Sequence, residues 1–153
     1  SVRPYSVSWD SMQPTLEDAQ IVLIDRISLK FQPLSRGEIV VYRDMNNDGE
    51  IKVKRVLGLP REKIEIADGK VMIDKKEIEE RYLEEHIHTC LPGACTDLSS
   101  HIFDIPQASY FVLGDNRGVS RDSRWCQDVA DCQNKKPLYI PDREILWRVF
   151  FSW

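Results

Sequence analysis

Ser11 lies in Ser8-Trp9-Asp10-Ser11-Met12-Gln13-Pro14-Thr15-Leu16, where Pro14 fixes its own φ and pushes Gln13 out of the helical region. The expectation is a stiff, extended turn that holds one hydroxyl on a rigid ledge. A hydroxyl is a poor nucleophile unless a base takes its proton. Taken alone, Ser11 reads as a plain polar residue in a turn. Histidine does not supply the base: His86, His88 and His101 lie together, and no His/Asp pair accompanies a G-x-S-x-G elbow, so a Ser-His-Asp triad is unsupported. The remaining activator is a lysine, which accepts a proton only when neutral. Burial would have to lower its pKa from ~10.4 by roughly two units, at ~1.4 kcal/mol per unit. Lys54 is the best candidate, because Val53, Val56 and Leu57 can wall it in apolar surface. Lys52 competes from the same strand face, and a lysine in a strand is otherwise a solvated edge residue.

The other residues with chemistry to offer are four cysteines in two close pairs, Cys90/Cys95 and Cys126/Cys132. Such pairs close small loops as disulfides in an oxidising compartment. Alternatively His86, His88, Cys90 and Cys95 could ligate a metal, although Cys126-x5-Cys132 is loose for a zinc site. Disulfides are the preferred reading, so no metal and no cofactor is expected. The charged loop Gly114-Asp115-Asn116-Arg117-Gly118-Val119-Ser120-Arg121-Asp122-Ser123-Arg124 has no hydrophobic period. Its density of hydrogen-bonding side chains suits either solvent or the lining of a site.

These residues must be positioned by strands. Ile21-Val22-Leu23-Ile24-Asp25, Ile39-Val40-Val41-Tyr42, Glu50 to Gly58, Lys63-Ile64-Glu65-Ile66, Lys70-Val71-Met72-Ile73 and Ser109-Tyr110-Phe111-Val112-Leu113 are short apolar or alternating runs. Asp48-Gly49 and Asp68-Gly69 are hairpin signals. A last aromatic strand runs from Ile145 to Phe151 after Ile140-Pro141. Glu77 to Glu85 is acidic without an apolar face and reads as a solvated surface or a short helix. Residues 86–105 read as a lobe or hairpin outside the main core. The pattern predicts a mainly β chain that folds as one unit.

Composition bounds the function. The 153 residues are 42% hydrophobic and 30% charged with a net charge of −4, and no basic run exceeds two residues. Nucleic acid is therefore excluded as the main partner, since phosphate binding needs a clustered positive face. No stretch approaches the ~20 apolar residues of a membrane span, and no signal peptide opens the chain. Ser1 at the first position suggests a processed form or an excised domain. Trp9, Trp147, Phe150, Phe151 and Trp153 flank the two chain ends, which suits either a membrane interface or an aromatic core.

Three stretches together resemble the boxes of type I signal peptidases, in that family's order: Ser11-Met12-x-Pro14-Thr15-Leu16, Lys54-Arg55-Val56-x-Gly58-Leu59-Pro60, and Gly114-Asp115-Asn116-Arg117-x-x-Ser120-x-Asp122-Ser123-Arg124. Arg36-Gly37-Glu38-Ile39-Val40-Val41 is similar to a further box, so the resemblance spans nearly the whole chain. It implies a signal-peptidase-like barrel of antiparallel strands; the small β and cysteine-containing lobe read beside it is not part of the family pattern. The domain is 1–153, with an inserted lobe at about 68–106. It further implies an endopeptidase with a Ser/Lys dyad that removes signal peptides carrying small residues at −1 and −3 from exported preproteins. On the matching positions Ser11 is the nucleophile, Lys54 the general base and Ser120 a hydrogen-bonding partner that orients Lys54. Trp9, Asp10 and Met12 would touch substrate, while Asp122 with Arg124, and Arg55 with Asp115, would brace the site as ion pairs. The full-length protein would be membrane-anchored, with the catalytic domain at the membrane surface on the extracytoplasmic side.

Two departures stand out. Trp9 occupies a position where the family usually has serine or glycine, so the oxyanion would rest on the Ser11 backbone N–H, with or without another donor. Arg61-Glu62 follows Gly58-Leu59-Pro60 where Gly-Asp is common. Two other classes compete: a self-cleaving Ser/Lys repressor-type peptidase, and a non-enzymatic β-module built on the cysteine and histidine cluster as a metal site.

Overall fold

A computed structural model describes residues 10–17, 20–92, 100–125 and 138–152, and its elements are antiparallel strands joined by tight turns. The strands are β1 (Val22–Asp25), β2 (Ile39–Asp44), β3 (Glu50–Gly58), β4 (Lys63–Ala67), β5 (Lys70–Ile73), β6 (Lys76–Glu77), β7 (His101–Asp104), β8 (Ser109–Leu113), β9 (Ile140–Pro141) and β10 (Ile145–Ser152). The chain is thus mainly β, as its short β-branched runs predict. Asp48 (φ 51°) with Gly49 (φ 73°), and Asp68 (φ 51°) with Gly69 (φ 75°), take the left-handed backbone that the β2–β3 and β4–β5 turns require. Asp74 (φ 49°) and Lys75 (φ 66°) make a similar turn before β6, without a glycine to announce it.

Six strands form one sheet in the order β1-β10-β2-β3-β8-β9, and four form a second in the order β6-β5-β4-β7. In the first, β3 is interior: Val40 of β2 faces Lys54 on one side, and Leu113 of β8 faces Arg55 on the other. An edge position with a solvated Lys54 is thereby ruled out.

Residues 86–105 are expected to lie outside the main core, but described members of that stretch are part of it. Phe103 of β7 and Ile105 are buried with Leu57, Phe111 and Leu113 of the first sheet and with Ile64, Ile66, Val71 and Ile73 of the second. Alternation along β7 turns His101 and Phe103 inward and leaves Ile102 exposed. The second sheet begins at Lys63, ahead of the segment at about 68–106, and this cluster joins the two sheets. Residues 81–87 form turns, with no helix between Glu77 and Glu85. Trp147 packs on the core, whereas Phe150 is exposed. Trp9, Trp153 and the Phe151 side chain lie outside the described residues.

Candidate active site

Proline restricts the residue before it, and here the restriction falls on Gln13, after the coil that matters. Asp10–Met12 therefore forms a short 3-10 turn where an extended ledge was expected, and Leu16 N–H donates to Met12 O at 3.0 Å to close the next turn. Met12 and Leu16 have no exposed surface and pack with Val22, Ile24, Val41 and Val53. Met12, expected against substrate, is instead the apolar plug that pins the serine turn to the sheet. Ser11 is left half-buried above it, and Asp10 is exposed. Trp9 lies outside the described residues.

Lys54 Nζ reaches Ser11 Oγ at 2.6 Å and donates to Val53 O at 2.8 Å. The residue is 3% exposed. Burial pushes its pKa from 10.5 down to about 8; the nearby Lys52 charge helps, and the Asp122 carboxylate opposes. Lys52 shares the strand face but pairs with Asp44 across the β2–β3 ladder at 2.6 Å, so it is held away from Ser11 by a carboxylate of its own.

The loop after β8 surrounds this pair. Arg55 and Asp115 are brought together as a two-pronged pair: Nε donates to Oδ1 at 2.9 Å and Nη2 to Oδ2 at 2.6 Å. Asp115 also accepts from Thr15 Oγ1 at 2.5 Å, which ties the loop to the serine segment. The guanidinium of Arg55 lies 3.8 Å above the Tyr82 ring. Asp122 and Arg124 pair at 2.8 Å, and Asp122 also accepts from Gly114 N–H at 3.0 Å. Burial alone would raise the Asp122 carboxyl, but the Arg124 charge and these hydrogen bonds hold it below its usual value.

Ser120 departs from expectation. Its Oγ is buried, lies toward the Asp122 carboxylate without a well-formed hydrogen bond, and has no hydrogen-bond partner among the described residues. The anticipated bond to Lys54 is not made; that nitrogen engages Ser11 Oγ and Val53 O. Gly114 explains the tight fit at this point. A Cβ there would lie 2.1 Å from Ser120 Oγ and 2.4 Å from Ser11 O, so only a glycine admits both.

Sequence reasoning missed three partners. Glu80, read as solvated, takes both terminal nitrogens of buried Arg117, whose Nε donates to Gly114 O at 3.0 Å. Thr89 also accepts from Arg117. Asn116 donates from Nδ2 to Asp10 O at 2.9 Å and from its backbone N–H to Ser11 O at 3.0 Å. Glu80 carried no local signal, being separated from Arg117 by 37 positions; Asn116 sat in a matched box without a stated role.

Arg124 Nη1 donates to Cys90 O at 3.1 Å. Cys90 is disulfide-bonded, so its sulfur is no longer a thiolate ligand. Cys95, Cys126 and Cys132 lie outside the described residues. Among the described residues no group of three or more His, Cys, Asp or Glu is placed to hold a metal.

Chemically, a buried lysine against a serine hydroxyl can take that hydroxyl's proton near neutral pH. The whole sequence, residues 1–153, matches the family described as signal peptidase, peptidase S26. Signal peptidase I U of Bacillus subtilis is 34% identical over 122 residues, covering 80% of this chain and 65% of that protein. Signal peptidase IB of Staphylococcus aureus is 35% identical over 136 residues, covering 80% of this chain and 68% of its own length. The chain therefore spans about two thirds of either relative. In three dimensions the fold resembles a crystal structure of a signal peptidase I from Enterococcus faecalis, with a TM-score of 0.55 at 24% identity over 78% of this chain and 98% of that one.

Proposed function

Because the chain belongs to the signal peptidase family, peptidase S26, we propose that it is the catalytic domain of a serine endopeptidase that removes signal peptides from exported preproteins. The observation that carries the proposal is the 2.6 Å contact between Ser11 Oγ and the buried Lys54 Nζ, whose pKa of about 8 makes it a usable base. Protonated, Lys54 donates to Ser11; once neutral, it accepts the Ser11 proton through the same contact. The serine oxygen then attacks the scissile carbonyl carbon, and the Ser11 N–H faces the oxygen that becomes negative. Lys54 returns the proton to the leaving amine, whose departure leaves an acyl-serine. A water that gives its proton to Lys54 next attacks the acyl carbon; Lys54 passes that proton to the departing Ser11 oxygen, which restores the hydroxyl and the neutral base, and the new carboxylic acid ionises to solvent.

In this scheme Ser120, buried beside Gly114, helps to fill the space next to the serine turn. Arg55 with Asp115, and Asp122 with Arg124, keep the loop rigid. Substrate lies extended beside the serine turn with small residues at −1 and −3, added as a strand. Asp10 and Trp9 flank it. Exposed apolar side chains in and near β1 and β10, Ile21, Ile27, Phe31 and Phe150, support membrane association. Among the described residues no helix is long and apolar enough to cross a membrane. An anchor outside this segment and an extracytoplasmic catalytic domain complete the proposal.

The test is cleavage of a synthetic signal peptide with alanine at −1 and −3. Ser11→Ala and Lys54→Ala are expected to lose at least about a thousandfold in kcat/KM, in line with the loss of a nucleophile or its base. Lys52→Ala should keep most of the activity. Full activity in Lys54→Ala would sink the assignment of the base.

A further inference from the structure

Two consecutive carbonyls of the serine turn are gripped by one residue. Asn116 Nδ2 donates to Asp10 O at 2.9 Å, and Asn116 N–H donates to Ser11 O at 3.0 Å. The first of these oxygens belongs to the peptide group whose other end is the Ser11 N–H. A peptide group is planar and trans, so its C=O and N–H point in opposite directions from a common plane. A donor fixed on the oxygen therefore sets the rotation of that plane and the aim of the N–H. Donation to a carbonyl also polarises the peptide, which strengthens its N–H as a donor in turn.

We infer that Asn116 is a positioning residue for the oxyanion donor: its side-chain amide holds the Asp10–Ser11 peptide from behind, so that the Ser11 N–H meets the oxygen that gains charge during acyl transfer. The inference rests on the peptidase reading above. Its backbone N–H performs the same service for the next peptide, and Ser11 O is further confined by Gly114. The opposite end of the segment is tied by Thr15 to Asp115, the residue next to Asn116. One dipeptide of the loop thus grips the serine turn on both sides of the nucleophile. The Ser11–Lys54 contact does not involve Asn116, so base strength and oxyanion alignment are separable. The arrangement matters most in a chain with Trp9, where no hydroxyl two residues before the nucleophile supplies a second donor.

Asn116→Ala and Asn116→Asp test the assignment on the same alanine-containing signal peptide. Alanine removes the side-chain donor. Aspartate keeps the shape but turns a carboxylate oxygen toward Asp10 O. Complete loss of an oxyanion donor costs about 10²–10³ in kcat, so misalignment should cost about 10–100-fold, more for aspartate. KM should stay within about threefold, and the pH midpoint should remain that of the wild type. Affinity for a peptide aldehyde, which forms a tetrahedral adduct, should fall in parallel with kcat; affinity for the same peptide with a reduced, uncleavable bond should not. Should the aspartate variant fail to fold, the alanine variant decides. Variants that keep kcat within twofold while Ser11→Ala is inactive overturn the inference and leave the peptidase intact. A loss confined to KM, or a shifted pH midpoint, overturns it as well. A wild type that cleaves no signal peptide removes both.

Discussion

Replacing Gly114 by alanine probes how tightly the loop and the nucleophile are fitted together. The added Cβ would lie 2.4 Å from Ser11 O and 2.1 Å from Ser120 Oγ, against a comfortable carbon–oxygen separation of about 3.4 Å. Gly114 does not have a left-handed φ, so the cost is steric. Ser120 is a side chain and can swing; Ser11 O is backbone and bonded to Asn116. One of the two chains must therefore move by about 1 Å. Overpacking of this kind costs about 1–3 kcal/mol of stability. Displacement of a nucleophile by about 1 Å costs on the order of a hundredfold in rate. Gly114→Ala should thus lose about 10²-fold in kcat while remaining folded at 25 °C, measured by peptide cleavage alongside urea unfolding. Adding Ser120→Ala relieves only the side-chain clash, so it should recover stability more than rate. A Gly114→Ala enzyme within twofold of wild type in kcat would refute the claimed fit.

Four further outcomes are expected. With the Lys54 pKa at about 8, the neutral fraction rises from roughly a tenth at pH 7 to roughly nine tenths at pH 9, so kcat/KM should climb about tenfold across that interval; a flat profile counts against a lysine base. The unfolded chain holds the Lys54 proton up to its ordinary pKa of 10.5, so the folded state gains stability between pH 8 and 10.5, and a pH series of urea melts should lose that gain in Lys54→Met. Glu80→Gln leaves the Arg117 side chain, 1% exposed, without its counter-charge and should cost roughly 3 kcal/mol; an unchanged urea midpoint would contradict this. Phe31, 79% exposed, should contribute to vesicle binding, so Phe31→Asp should reduce co-sedimentation with lipid vesicles; equal sedimentation would remove Phe31 from the membrane proposal.

Much of this protein is determined locally. Asp-Gly turns and β-branched runs mark β2 to β5 and β8, because positive φ and a half-buried pleat each demand particular residues at short range. Ser11, Lys54 and the loop to Arg124 were legible because their types and spacing limit the chemistry available to them. What local pattern could not decide is which groups lose water. Lys52 and Lys54 differ by two positions on one strand face, yet one pairs with Asp44 and the other is sealed against Ser11. Glu80 belongs to an acidic run that looked solvated, and only the packing of distant chain segments turns it onto Arg117. Phe103 and Ile105 joined the core for the same reason. The serine turn coils where an extended ledge was expected, since the restraint of Pro14 acts on Gln13 and the burial of Met12 is settled by strands far along the chain. Desolvation and hydrogen-bond partners are properties of three-dimensional neighbours, so the burial of Lys54, the Gly114 fit and the Asn116 contacts belong to the tertiary structure.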